Sequence, residues 1–486
     1  MAGGTMTASD LRAARGGADD PDEGPYAAGD DAGSWRETPI SWRIAALALL
    51  GGGAAIGYLA AGRKLGRVVP LVTAGAAAAA AIPVAVASRR PPITPEAAAE
   101  ALAAAAVPPT FTVLVGARDE AEVLPRLVRD VAAQDYRTAE GSPLFELVVV
   151  DDRSVDGSGK GVLAEASRTG IAAITRVIRR DGADLPDGKG AALTAAQPDE
   201  CRGDVIVVLD ADARLHPAFL RRAAGYFASG AGAVTARRRI LDWENGWLAG
   251  AQADEQTLDG ELNRGRWAMG GCSEFRGNGI MVRRDLLAWA GGWRAAALTE
   301  DIDLSSRIAA VAGERVAWAI DAEVWEEPVR GLRGLWRQRL RWAEGALRRA
   351  FEHGPAVARS RRLPPAAKAD FATYVGQLAV PALAVGAAAA AARGRKGTLL
   401  TLLAGYLGIS VGLGWDSLRW ERDREGLPLG SRERASRAVR VSMFSGLWLV
   451  VVPRALLNLA FRRGGIRYEK MAHDGAAAAE WERRPD

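Results

Sequence analysis

The sequence predicts an α/β domain with a parallel sheet, inserted between α-helical transmembrane segments. Long uncharged apolar runs lie towards both ends of the 486-residue chain. Between them, short β-branched runs alternate with stretches of helical spacing, and acidic pairs stand where those runs end. Strands alternating with helices imply a parallel sheet, which binds ligands at the carboxyl ends of its strands.

Residues 1–40 are rich in Gly, Ala and Asp and show no periodic apolar face. Such a stretch buries too little surface to offset its ordering entropy, so it reads as a disordered tail. Its polar, acidic start lacks a signal-peptide layout. Two runs follow, Ile44–Gly62 and Val68–Ser88. Each is near the roughly 20 residues needed to cross a bilayer core. With the short basic link from Arg63 to Arg67, they predict a transmembrane hairpin over 41–90. Pro91, Pro92 and Pro95 then mark a boundary.

The α/β pattern occupies 105–350. Phe111–Val115, Phe145–Val150 and Asp204–Leu209 read as buried strands, Leu124–Ala133 and Ile302–Ala310 as helices, and the end of the domain as an amphipathic interface helix. Three more apolar candidates, Phe371–Ala392, Thr398–Trp415 and Val441–Phe461, place transmembrane helices over 370–463, before a polar tail at 464–486. The last contains Pro453 and Arg454, which mark it as short, kinked or interfacial. Between the second and third, Arg419–Arg440 is dense in arginine, and the positive-inside rule assigns it to the cytoplasm with the α/β domain. The basic loops at Arg63, Lys64 and Arg67 and at Arg393, Arg395 and Lys396 pull the other way. The cytosolic assignment is kept because one crossing out and one back separate the arginine-dense loop from the α/β domain.

Composition narrows the classes further. Basic residues number 63 against 58 acidic, a formal net charge of +5. This excludes a nucleic-acid-binding tail protein and suits anionic lipid headgroups or an anionic donor. Cys201 and Cys272 form neither a disulfide framework nor a zinc pattern, and His216, His353 and His473 are too scattered for a histidine metal site. The abundance of Ala and Gly suggests a GC-rich bacterial genome.

Four signatures carry chemistry. Asp151-Asp152-Arg153-Ser154 ends a strand in two carboxylates, which can accept hydrogen bonds from a base edge or a ribose hydroxyl, or else cap a helix. Asp210-Ala211-Asp212 follows the run Val205–Leu209 and directs two hard oxygen ligands to one strand end, where Mg2+ or Mn2+ could bridge to a diphosphate. Thr299-Glu300-Asp301 opens a helix. It serves either as a cap with favourable dipole charge or as the source of a general base that deprotonates an acceptor hydroxyl attacking an anomeric carbon, which inverts that centre. Gln338-Arg339-Leu340-Arg341-Trp342 puts Gln338 on one helical face with Arg341 or Trp342. There the indole offers a platform to a sugar ring and Arg341 and Gln338 can bind a diphosphate or an acceptor; alternatively, the helix lies on the bilayer surface. Lys189, between Gly188 and Gly190, can pair with phosphate or stand in a solvated loop; the spacing is not that of a Walker loop.

Together these residues resemble glycosyltransferase family 2, the inverting enzymes of GT-A fold (Rossmann-like nucleotide-diphospho-sugar transferases), and more narrowly the membrane-integrated synthases of cellulose, chitin, hyaluronan and poly-N-acetylglucosamine. The resemblance runs from Phe111 to about Arg349. It implies nucleotide and donor binding by Asp152, with Asp151, Lys189, Asp210, Gln338 and Arg341; metal binding by Asp210 and Asp212; Asp301, with Glu300 beside it, as catalytic base; and acceptor binding by Trp342 and Thr299. Gly277-Asn278-Gly279 resembles the family's Gly-rich stretch before the acceptor site, and Gly291-Gly292-Trp293 the turn leading to the base.

The expected reaction is metal-dependent, inverting transfer from a UDP-sugar to a growing β-linked glycan by a processive polysaccharide synthase of the bacterial inner membrane. The alternative is a non-processive transferase adding one or a few sugars to a lipid-linked or cell-surface acceptor. Arg339 within the Gln338 motif and the short C-terminal membrane part, with its Arg454, depart from the synthase pattern and weaken the case for a polymer channel. A non-catalytic scaffold is disfavoured because the metal and base carboxylates are both present.

Overall fold

A computed structural model describes residues 38–61, 68–182, 185–423 and 426–462. The tails foreseen at 1–40 and 464–486, apart from residues 38–40, and the link Arg63–Arg67 lie outside the described residues.

The centre of the molecule is an eight-stranded mixed sheet of order β3-β2-β1-β4-β7-β6-β8-β5. Its strands are β1 Phe111–Ala117, β2 Phe145–Asp152, β3 Thr175–Arg180, β4 Val205–Leu209, β5 Arg214–Leu215, β6 Ala233–Ile240, β7 Ile280–Arg283 and β8 Val316–Glu326. β3, β2, β1 and β4 run parallel, as the strand–helix alternation predicts. β7 enters antiparallel between β4 and β6, and β6 pairs parallel with β8. β2 and β4 are buried along their whole length, which suits strands covered on both faces. β2 continues past Val150 to Asp152 because its register sets Asp151 opposite Arg179 and Asp152 opposite Arg180, so each carboxylate meets a guanidinium.

Alternation along the strands divides the core. Leu147 and Val149 pack with Val113, Val115 and Val207 against helices that include Leu124–Ala132 and Ser158–Arg168. Val148 and Val150 pack on the opposite face with Leu114, Ile206 and Val208, against Ala192 and Leu193 of helix Lys189–Leu193 and Leu304 and Ile308 of helix Glu300–Ala312. The chemistry lies on this second side.

Among the described residues, four helical stretches are long and apolar enough to cross a membrane: Ile40–Ala60, Pro365–Ala391, Lys396–Trp420 and Ser431–Phe461. A fifth apolar stretch, Leu71–Ala87, is shorter, with Pro83 inside its helix. The first helix begins at Ile40, inside the expected tail, and the last starts ten residues before Val441, broken near Gly446 into Ser431–Ser445 and Trp448–Phe461. The interface helix, Leu332–Arg359, runs beyond the boundary expected at 350.

Small residues let the first helix meet Val380–Ala391 backbone to backbone. A Cβ on Gly57 would stand 2.1 Å from the Leu383 carbonyl oxygen, and one on Gly386 would stand 1.8 Å from that of Ala54. Gly51, on the same helix as Gly57, meets nothing within 4 Å. Gly57→Leu and Gly386→Leu should therefore lower the thermal midpoint of the detergent-solubilised protein, whereas Gly51→Leu should leave it near wild type. Equal midpoints for all three would contradict the close seam.

Candidate active site

The site forms where β1, β2 and β4 end. Helix Lys189–Leu193 starts there, and Gly190 lets it pass under the loop that precedes helix Glu300–Ala312: a Cβ at that position would lie 3.0 Å from the Arg294 carbonyl oxygen and 3.2 Å from that of Ala297. The Lys189 ammonium is thereby aimed inward, 2.5 Å from Asp210 Oδ1, 2.9 Å from the Gly277 carbonyl oxygen and 3.4 Å from Glu300 Oε1. Burial alone would lower its pKa, but Asp210, Glu300 and Asp301 outweigh that cost and raise it, so the ammonium stays charged.

Segment 272–279 is the second wall. Gly277 and Gly279 both have positive φ, which glycine adopts without a Cβ penalty. A Cβ on Gly277 would stand 3.6 Å from Asp301 Oδ2, so the turn passes directly beside that carboxylate. Between the two glycines, the Asn278 side chain accepts from the Asp210 backbone N–H at 3.1 Å and donates to Glu326 at 3.2 Å. Asp212 is buried, and its Oδ2 accepts the Glu327 backbone N–H at 3.1 Å.

Asp301 has its pKa pushed up to about 6, first by burial and then by the neighbouring Glu300, with Arg276 and Lys189 opposing. A carboxyl group tuned upward in this way titrates close to neutrality, where a general base is effective.

The chemistry of the donor set suits a divalent cation. Asp210, Glu300 and Asp301 all act on the one ammonium of Lys189. The nearby guanidiniums have carboxylates of their own: Arg238 pairs with Glu326, and Arg276 with Asp259 and Glu274. The Asp210 side chain remains 38% exposed, so an excess of hard oxygen donors opens toward solvent. A second cluster, Asp303, Glu352 and His353, was concealed by the scatter of histidines along the chain; its ligand atoms lie within 4.8 Å of one another. Its charges are already matched: Asp303 accepts from Arg307 at 2.9 Å, Arg294 at 3.1 Å and His353 at 2.8 Å, and Arg294 also pairs with Glu352. Those partners hold Asp303 well below the usual carboxylate range against the opposing effect of burial. This is a strut between helices rather than an ion cage.

The remaining candidates divide. Asp152, on the site's side of the sheet by alternation, is buried and gripped by Arg180 at 2.8 Å and Arg153 at 2.9 Å. Arg153 has φ +60°, which folds it back onto Asp152 and towards Asp187, 2.8 Å away. Asp151 lies on the other face and is not brought into the cluster. It accepts from Arg179 and from the Ser154 N–H, and a Cβ on Gly159 would crowd it at 2.6 Å. Thr299 packs on the interface helix, where a Cβ on Gly345 would meet its Oγ1 at 2.4 Å.

The Gln338 signature also splits. Arg341 lines the cleft with Asp187, Gly188, Lys189, Glu300 and Arg348. The Gln338 Oε1 accepts from Arg339, and the Trp342 ring has the Arg339 and Arg238 guanidiniums 4.2 Å and 5.6 Å from its centroid. Sequence reasoning passed over Arg180, Glu326 and Arg348, and named Asn278 only within the Gly-rich stretch, with no role of its own. Only Asn278 carried a local signal, a polar residue between two glycines.

Comparison with known proteins identifies the family. Residues 108–345 match the model of the glycosyltransferase like family 2. The chain is 31% identical over 376 residues to the beta-monoglucosyldiacylglycerol synthase of Synechocystis sp., covering 76% of each chain. It is 31% identical over 135 residues to an undecaprenyl-phosphate 4-deoxy-4-formamido-L-arabinose transferase of Pseudomonas aeruginosa, covering 27% of this chain and 37% of that one. Among solved structures, a mannosyltransferase from Pyrobaculum calidifontis in complex with GDP-Man and Mn2+ superposes with a TM-score of 0.48 at 21% identity, covering 86% of this chain and 98% of that one.

With Asp301 in the role of base that the sequence suggests, the carboxylate must be ionised to act, so turnover should fall as pH drops through about 6. Glu300→Gln removes a charge that raises the Asp301 pKa, so the acid limb of kcat/KM should move to lower pH. A limb that stays in place would remove Glu300 from that role. Asp301→Asn should abolish turnover yet leave nucleotide affinity nearly unchanged by calorimetry.

Proposed function

From the chain's membership of glycosyltransferase family 2, a family of GT-A fold, we propose that it transfers a single sugar, or a few, from a UDP-sugar to a membrane lipid, with inversion at the anomeric carbon. This is the alternative of the sequence reading; it takes precedence over processive polymer synthesis. The observation that carries it is the position of the cleft. Arg348, which lines it, donates to Thr38 Oγ1 at 3.1 Å, two residues before the apolar helix Ile40–Ala60. The cleft wall thus joins the end of a membrane-length helix, where a lipid headgroup would lie. The match along most of a glycolipid synthase supports the same reading.

In this reading the UDP-sugar lies against Lys189, Arg341 and Asp152, and the acceptor hydroxyl faces Asp301. The hydroxyl oxygen attacks the anomeric carbon while Asp301 takes its proton. The bond from that carbon to the diphosphate breaks, and its electron pair leaves with UDP. Asp210 and Asp212 would hold Mg2+ or Mn2+, which when bound neutralises charge on the leaving diphosphate. Lys189 supplies a fixed positive charge at the same place. Glu300 keeps the Asp301 pKa raised, and Thr299 seats the start of their helix against the interface helix. The Asp151 carboxylate braces the strand end, Gln338 orients Arg339, and the Trp342 ring packs against the guanidiniums of Arg339 and Arg238. We place the protein as a multi-pass protein of the bacterial inner membrane with its sheet domain in the cytoplasm.

Purified protein incubated with radiolabelled UDP-sugars and diacylglycerol vesicles should yield label that extracts into organic solvent and migrates as a glycolipid of one or a few sugars. Long water-soluble polymer, formed equally without added lipid, would restore the processive reading. Asp210→Ala should weaken UDP affinity in Mn2+ titrations, and unchanged affinity would remove Asp210 from metal binding.

A further inference from the structure

Glu274 lies at the back of the catalytic wall and is buried beneath three arginines. Its carboxylate pairs with Arg349, with Arg276 at 3.2 Å and with Arg266 at 3.5 Å. These guanidiniums do not end within the sheet domain. Arg266 forms a forked pair with Asp370, at 3.0 Å and 2.9 Å, and lies 4.2 Å from the Tyr374 ring centroid. Arg276 is anchored by Asp259 and approaches the same ring at 6.0 Å, while Arg349 stands over Phe371 at 4.8 Å. Asp370, Phe371 and Tyr374 belong to Pro365–Gly376, the first part of the membrane-length helix Pro365–Ala391.

The other side of the same segment touches the reacting groups. The Gly277 carbonyl accepts from Lys189, Asn278 holds the Asp210 backbone, and Gly277 passes beside the Asp301 carboxylate. The Phe275 N–H donates to Ser305 Oγ at 2.9 Å, and that hydroxyl donates to the Asp301 carbonyl at 2.7 Å. Residues 272–279 therefore have catalytic groups on one side and a membrane helix on the other.

We propose that Glu274, Arg266, Arg276, Asp370 and Tyr374 are positioning residues, through which the docked helix Pro365–Ala391 holds segment 272–279 in the geometry that transfer requires. Transfer is thereby conditional on that helix being seated. A shift of about 1 Å in a wall supporting a base and a phosphate-binding lysine can cost roughly 100-fold in rate, with little effect on ground-state binding.

The test compares Asp370→Asn and Tyr374→Phe with Glu261→Gln in the full-length protein in nanodiscs. Glu261 is also buried at this junction, paired with Arg264 at 3.3 Å and Arg419 at 2.5 Å, but it holds nothing in segment 272–279. Asp370→Asn should speed amide hydrogen exchange at 272–279 and lower kcat about tenfold or more, with KM for the UDP-sugar within about twofold of wild type. Tyr374→Phe, which keeps the ring, should have a smaller effect of the same kind, and Asp370→Glu should restore most of the activity. Glu261→Gln should lower thermal stability while leaving exchange at 272–279 and kcat per folded molecule unchanged. The kinetic arm rests on the transfer reaction proposed above; the exchange arm does not. Unaltered exchange at 272–279 in Asp370→Asn overturns the proposal, as does an equal change in Glu261→Gln. No turnover of any UDP-sugar by wild type would instead count against the reaction.

Discussion

The arrangement depends on pairing buried carboxylates with guanidiniums at the junction between the sheet domain and the apolar helices. Asp254 is held by Arg437 and Arg440, Glu421 by Arg237 and Arg239, Glu344 by Arg348 and Arg462, and Glu274 by three arginines. Arg339 reaches Glu255, which also accepts the Trp448 indole N–H at 3.0 Å. An isolated charge in such a place costs several kcal/mol, and removing one partner from a buried pair typically costs about 3–5 kcal/mol. Apolar packing could supply comparable stability. What charge pairing adds is register, because a helix displaced by one turn would leave several charges unmatched at once.

That register extends to the charges of the candidate site. Asp301 is poised near neutrality because burial and Glu300 raise its pKa while Lys189 and Arg276 limit the rise. Arg276 in turn is tied to Glu274 and Asp259. The same polypeptide turn that passes Asp301 also fixes the Asp210 backbone through Asn278. The groups proposed to accept the proton, bind phosphate and hold a cation thus share one support, and their relative placement cannot be altered piecemeal.

Much of this was legible in the sequence. Val148-Val149-Val150 and Val205–Leu209 announced buried parallel strands, and the acidic pairs after them marked the strand ends where the site lies. Long apolar runs located the membrane-length helices, though their ends moved: proline and serine starts at Pro365 and Ser431 extend two of them beyond their hydrophobic centres. Less legible was anything set by pairing across the chain. Asp151 and Asp152 look equivalent until strand alternation sends them to opposite faces. Trp342 looks like a sugar platform until Arg238, from a distant strand, lies over it. Arg339, which first stood out as a departure from a motif, is almost wholly buried and links the interface helix to Glu255. His353 gave no sign in one dimension of its bond to Asp303.

The glycine seam between Ile40–Ala60 and Val380–Ala391 has a consequence for the order of synthesis. A ribosome makes the first helix early but completes its partner only after the whole sheet has emerged. In a bilayer, the small-residue face at Gly53 and Gly57 would until then meet lipid rather than its partner helix, and the sheet would fold beside an unfinished helical bundle. Closure of the seam is therefore a late event in biogenesis, and it brings in the same C-terminal helices on which the arginine clusters depend. A chain interrupted before residue 380 would carry every carboxylate of the candidate site and still lack the clasp that closes its apolar helices.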